Sequence, residues 1–270
     1  PDFATNGLFY TVHTESVGTK PPNLVPAVPV PIIHHSILTE WHATNPAANT
    51  FNGTSRELMR IAAINVYHNL GVIDFNPNAV PGDSDYGLLY IGQGDYGSTD
   101  SGFPQETQRL DTVYGCILRI DPLGGPFMRG GFTYNYGIPP GNPFVSAPGA
   151  FGEIYTYGHR NAHRLQWDIG HNKTMFVTDI GGANIEEINR VVPGRNYGWP
   201  NREGTYAIDP VVNWRQVLPL PANDSTLSYT YPVAEFDHDP VLFPVHGTDT
   251  QCGIAGGVAY RAAAISGFQG

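Results

Sequence analysis

The chain has 270 residues, enough to bury a large core as one all-β domain, yet only 14% of them are charged, against roughly 25% in average domains. A formal charge of −10 with just two lysines, Lys20 and Lys173, excludes the phosphate-neutralising surface that non-specific nucleic-acid binding requires. No run of ~18 apolar residues is present to span a membrane, and Cys116 and Cys252 allow one disulfide at most and match no zinc spacing.

Thirty-two glycines and 24 prolines favour many short strands over helices. The opening Pro1–Gly7 reads as a turn running into a strand over Leu8–Thr14, followed by Pro21–Pro31, a Pro/Val-rich excursion outside the core. Strand-like runs then recur at Ser36–Trp41, Glu57–Ile61, Gly71–Phe75, Leu88–Ile91, Cys116–Ile120, Glu153–Tyr157, Leu165–Asp168, Met175–Thr178 and Glu187–Val191. Each is rich in branched and aromatic residues and bounded by Gly, Asn, Asp or Pro. Thr107–Val113 is the best candidate for a short helical turn, and Asn201–Thr226 reads as a loop insertion. Gly267–Gly270 is a turn signal introducing a further strand, so one to two more blades of about 40–50 residues are expected beyond this stretch. On periodicity alone a sandwich, a barrel and a propeller fit about equally. Phe75-Asn76-Pro77 and Trp167-Asp168 are candidates for equivalent positions in successive blades.

The most informative polar constellation is Gly158-His159-Arg160-Asn161, then Glu187-Ile188-Asn189, then Asn196-Tyr197-Gly198-Trp199-Pro200. It reads as strand ends delivering polar groups to one rim. With Pro1–Gly7, Thr54–Ile61, His68–Phe75, Leu89–Asp95, Gln108 through Gly115–Ile120, Asn142-Pro143-Phe144 and Cys252–Arg261, these motifs stand in the order found in the quinoprotein glucose/sorbosone dehydrogenase family, which the chain resembles over nearly its whole length.

The resemblance implies a six-bladed β-propeller, of which this stretch covers part, carrying pyrroloquinoline quinone (PQQ) and calcium. It implies His68 as the general base that takes the C1 hydroxyl proton of an aldose. A histidine suits that task, because its ordinary pKa of about 6.5 lies near neutrality. It implies Arg160, Asn161 and Gln108 as cofactor-binding residues; a guanidinium can clasp a carboxylate of the planar tricarboxylate or lie flat on its rings. Calcium would rest on the Gly181 and Gly182 carbonyls, with Glu187 and Tyr197 serving further calcium sites. The implied partners are a soluble sugar, a separate electron acceptor and, where the ring is incomplete, an assembly partner that closes it. The implied setting is periplasmic or secreted.

Some positions depart from the family pattern. Tyr67 stands where an acidic residue precedes the histidine, Cys116 replaces a lysine, and of the late cations only Arg261 is present. A cofactor-free propeller of the Hedgehog-interacting type therefore stands as an alternative, and rim aromatics such as Tyr157, Tyr197 and Trp199 keep a sugar-binding module as a third. Cys116 and Cys252 form one bridge or remain two buried thiols.

Overall fold

A computed structural model describes residues 2–169, 174–238 and 253–260. Phe3–Asn6 forms a single helical turn that Gly7 ends in the left-handed region, at φ 67°. The chain then enters a sheet of β1 (Leu8–Ser16), β2 (His34–Ala43) and β3 (Gly53–Ala63), in that order. A second sheet begins with β4 (Leu70–Phe75), β5 (Leu89–Gln93) and β6 (Cys116–Ile120). A ribbon of β7 (Phe127–Arg129) and β8 (Phe132–Tyr134) intervenes before β9 (Ile154–Thr156) completes the order β4-β5-β6-β9. The third sheet repeats the plan with β10 (Ala162–Trp167), β11 (Met175–Asp179) and β12 (Ile185–Arg190). Here the ribbon is β13 (Arg202–Glu203) with β14 (Tyr206–Ala207), and β15 (Ala234–Asp237) closes the order β10-β11-β12-β15.

All strand pairings within these sheets are antiparallel, and β1 packs on β4 while β4 packs on β10. Successive sheets with their first strands side by side are blades of a β-propeller. Phe75 and Trp167 end the first strands of the second and third sheets, so they do occupy equivalent places.

Strand β6 shows why its sequence is so apolar: all five residues are buried, because both faces are covered. Leu118 and Ile120 join Leu38, Met59, Leu89 and Ile91 in the core shared with the first sheet. Ile117 joins Val72, Leu165 and Val177 in the core shared with the third. Each such side chain contributes about 1.5–3 kcal/mol of burial.

Three expectations need correction. Pro21–Pro31 does not stay outside the core: Leu24 is fully buried and bridges Ile61 in parallel, covering the free edge of β3. Of Thr107–Val113 only Thr107 and Gln108 are helical; the turn starts earlier, as a 3-10 helix over Pro104–Gln108, where the proline's missing N–H costs nothing at the first turn. Within Asn201–Thr226, β13 and β14 form a ribbon, and Glu203 is tied to the turn after β11. Cys116 is fully buried, and burial pushes its thiol pKa far up. Cys252, Arg261 and Gly267–Gly270 lie outside the described residues.

Candidate active site

The site forms where β4 and β10 begin and where β5 and β11 end. His68, two residues before β4, adopts the left-handed backbone region at φ 54°, which few non-glycine residues occupy. Its Nδ1 stands 2.6 Å from Asp95 Oδ1, just past β5, with the histidine side chain 11% exposed and the aspartate 1%. The same aspartate takes the Trp199 indole N–H on Oδ2 at 3.0 Å and the Gly97 N–H on Oδ1 at 2.8 Å. Its own N–H donates to the Arg160 carbonyl at 2.8 Å. One buried aspartate therefore fixes the histidine ring and an indole through its carboxylate, and the approach of the Arg160 segment through its backbone N–H. Carboxylates are acceptors only, so His68 carries its proton on Nδ1, and Nε2, which has no hydrogen bond among the described residues, presents a lone pair.

Gly94 explains how the two sheets meet here. A Cβ on it would stand 2.8 Å from the His68 Cβ and 2.9 Å from Asn161 Oδ1, so only glycine lets these residues face each other across it. Tyr67 meets the His68 ring edge-on at 4.8 Å, and its hydroxyl donates to Asp100 at 2.5 Å; burial, then Asp100, pushes its pKa up to about 12.

Arg160 and Asn161 are held by the end of β11. Asp179 accepts the Asn161 N–H at 2.6 Å and the Arg160 N–H at 3.3 Å. The Arg160 guanidinium donates to the Ile180 carbonyl at 3.1 Å and to the Gly181 carbonyl, and it lies 5.5 Å from the Trp199 ring centre. Among the described residues it meets no carboxylate, and the Asn161 side-chain amide makes no hydrogen bond. Gly181 must be glycine, since a Cβ would fall 1.7 Å from the Ile185 carbonyl oxygen.

The remaining candidates have other partners. Gln108 donates to the Trp199 carbonyl at 2.6 Å and exchanges hydrogen bonds with the Asn196 amide, so it clamps the loop that carries the indole. The Gly182 N–H donates to Glu203 at 2.8 Å, and its Cα lies against the Trp199 and Trp214 rings. Tyr197 donates to the Arg190 carbonyl and accepts from the Val192 N–H, with burial pushing its pKa up to about 12. Glu187 accepts from the Asn189 amide and the Gly204 N–H. Burial, then the charge of Asp179, pushes its pKa up to about 8.

These positions decide what could be held. A planar organic polyanion fits in kind: a cation unpaired by carboxylate, a free amide, an open imidazole nitrogen and an indole face adjoin one another. Of the predicted calcium donors, all but the Gly182 carbonyl already serve protein groups. The Gly181 carbonyl accepts from a guanidinium, Tyr197 is engaged with backbone, and Glu187 accepts from the Asn189 amide and the Gly204 N–H. No group of three or more acidic, histidine or cysteine residues suited to a metal exists among the described residues.

Asp95 and Asp179, the two carboxylates that build the site, were not singled out from sequence, where Asp95 reads only as the end of a Gly-Asp strand. The signal available was the Asp that ends or follows the second strand of both sheets.

The profile of the Glucose / Sorbosone dehydrogenase family matches residues 68–216, and the chain belongs to that family. It is 27% identical to the HIPL2 protein of Arabidopsis thaliana over 241 residues, 86% of this chain and 32% of that protein. It is 30% identical to the aldose sugar dehydrogenase YliI of Escherichia coli (strain K12) over 114 residues, 42% of this chain and 26% of that one. Among solved structures, the PQQ-bound form of aldose sugar dehydrogenase from Streptomyces coelicolor superposes with a TM-score of 0.54 at 26% identity, covering 88% of this chain and 52% of that one. The chain thus spans about a third of the length of these curated relatives and about half of that solved structure. No helix among the described residues is long and apolar enough to cross a membrane.

Proposed function

We propose that this chain supplies the reactive rim of a quinoprotein dehydrogenase that oxidises the C1 hydroxyl of an aldose or similar soluble sugar. The observation that carries the reading is the His68–Asp95 pair, with Nε2 free of hydrogen bonds among the described residues and the Asn161 amide oxygen across Gly94 from the His68 Cβ. Asp95 holds the imidazole in the tautomer that accepts a proton at Nε2 and stabilises the imidazolium that follows, which is the arrangement of a general base. Arg160 and Asn161 would hold PQQ, the guanidinium against a carboxylate or a ring and the amide against oxygens. When bound, PQQ supplies the acceptor for the substrate's hydride. Trp199, fixed by Asp95 and Gln108, gives a flat wall that excludes water beside it. A separate electron acceptor, a partner or further blades closing the ring, and a periplasmic or secreted setting belong to the same proposal.

A second reading, a propeller that binds without redox chemistry, is favoured by one observation: Arg160 Nη1 already rests on the Ile180 and Gly181 carbonyls, which braces the guanidinium as a structural cation between strand ends. Titration with PQQ followed by absorbance, then dye reduction with an aldose, separates the two. The dehydrogenase reading expects saturable PQQ binding that Arg160→Lys weakens, and turnover that His68→Gln abolishes without releasing PQQ. Absence of PQQ binding by the wild-type protein would hand the chain to the second reading.

A further inference from the structure

A cavity lies between the second and third sheets, at the opposite ends of their strands from His68. Its volume of 390 Å³ falls within the roughly 300–1,000 Å³ range of small-molecule sites. It is bounded by the start of β5, the ends of β6, β10 and β12, and the start of β11. None of the candidate active-site residues lines it.

Its chemistry is specific. The Arg119 guanidinium lies 4.6 Å from the Tyr155 ring centre and is anchored by Nε to Asn142 at 2.7 Å. Asp85 accepts from the Tyr90 hydroxyl and the Asn76 amide, both at 2.6 Å, and stands 3.5 Å from Arg119 Nη1. Arg190, exposed at the mouth, has no partner for its guanidinium among the described residues. Two guanidinium groups thus face one carboxylate, leaving an excess positive charge in a protein whose formal charge is −10. Trp167 and Tyr155 add an aromatic wall suited to the C–H face of a sugar ring or chain. Asp85, with two of about four acceptor positions filled, can still accept hydroxyl protons but repels a dianion.

We propose that this cavity binds a monosaccharide-sized sugar acid. Its carboxylate pairs with Arg190 and Arg119, its hydroxyls bond to Asp85, and its carbon skeleton lies on the Trp167 side. The site is independent of the redox reading, since it shares no residue with the rim that carries His68.

The test uses D-gluconate as probe on the full chain, by calorimetry at low ionic strength, with D-glucose and inorganic phosphate as comparators. Gluconate is expected to bind at least tenfold more tightly than either comparator. Arg190→Gln, a change at an exposed side chain, should weaken it tenfold or more, because a charge-assisted pair carries the anion's recognition. His68→Gln should leave it unchanged. No gluconate binding, equal binding of glucose or phosphate, an unaffected Arg190→Gln variant, or loss of binding in His68→Gln would each overturn the proposal.

Discussion

Two histidine–aspartate pairs occupy matching places in the second and third sheets. His68 precedes β4 and meets Asp95 just past β5; His159 precedes β10 and meets Asp179 at the end of β11, Nδ1 to carboxylate at 2.9 Å. The geometry repeats, but the surroundings do not. His159 is wholly buried, its Nε2 lies 3.0 Å from the Thr156 hydroxyl, and its ring stacks on Tyr197 at 4.5 Å. His68 makes no hydrogen bond through Nε2 among the described residues. The pair itself is therefore a blade-building device that ties the entrance of a first strand to the exit of a second. Chemical use depends on what closes the far nitrogen.

This contrast can be broken at several points. The largest effect is expected from His68→Gln, which should cut turnover of the PQQ-loaded protein by about 10²–10⁴-fold with a smaller loss of stability than His159→Ala, since Asp95 keeps the Gly97 and Trp199 donors. Full turnover in steady-state assays would show that the open pair is structural like its twin. His159→Ala should do the reverse, lowering stability in urea titrations by about 2–4 kcal/mol through lost packing and an unpaired buried aspartate. Trp199→Phe keeps a ring but removes the donor to Asp95 Oδ2. A loss of about 1–3 kcal/mol, with a raised requirement for PQQ, would mark the indole as the feature that sharpens the open pair. A further effect is a slope. Because Glu187 has a folded pKa near 8 against an ordinary 4.5, the folded state holds a proton that the unfolded chain releases. Its contribution is complete below about pH 4.5 and is lost as pH rises through about 8. Glu187→Gln should flatten the fall in urea midpoint between pH 5.5 and 8.5; an unaltered slope would place the titration elsewhere.

The apolar strands were legible from their residues. Cys116–Ile120 matches its predicted bounds, since all five positions are buried and turns flank them. Strand β2 runs further than Ser36–Trp41 because the ladder with β1 and β3 continues through His34, His35, His42 and Ala43, where hydrogen bonding outlasts the apolar pattern. The ribbons β7–β8 and β13–β14 were missed, being two or three residues per strand and too short to show a period. At the site, His68, Arg160 and Asn161 were singled out through motif order, and the structure brings them together around Asp95 and Gly94. Asp95 and Asp179 escaped notice because a lone carboxylate at a strand end carries no sign of the histidine 27 or 20 residues earlier that it will hold. Gln108, Glu187 and Tyr197 were read as ligands, whereas their polar atoms bind protein groups.

The bond from Trp199 to Asp95 joins residues 104 positions apart. The His68–Asp95 link spans 27 and forms within a single sheet and its entrance. Closing the longer loop carries the larger entropic cost, and contacts of high sequence separation tend to form late. A chain emerging from the ribosome would therefore complete its His68–Asp95 pair well before it lays the indole over the same aspartate. Trp199 fluorescence in refolding should report the last step, after the β signal of the second sheet has matured. An indole signal arriving together with that sheet would show that the three blades condense at once.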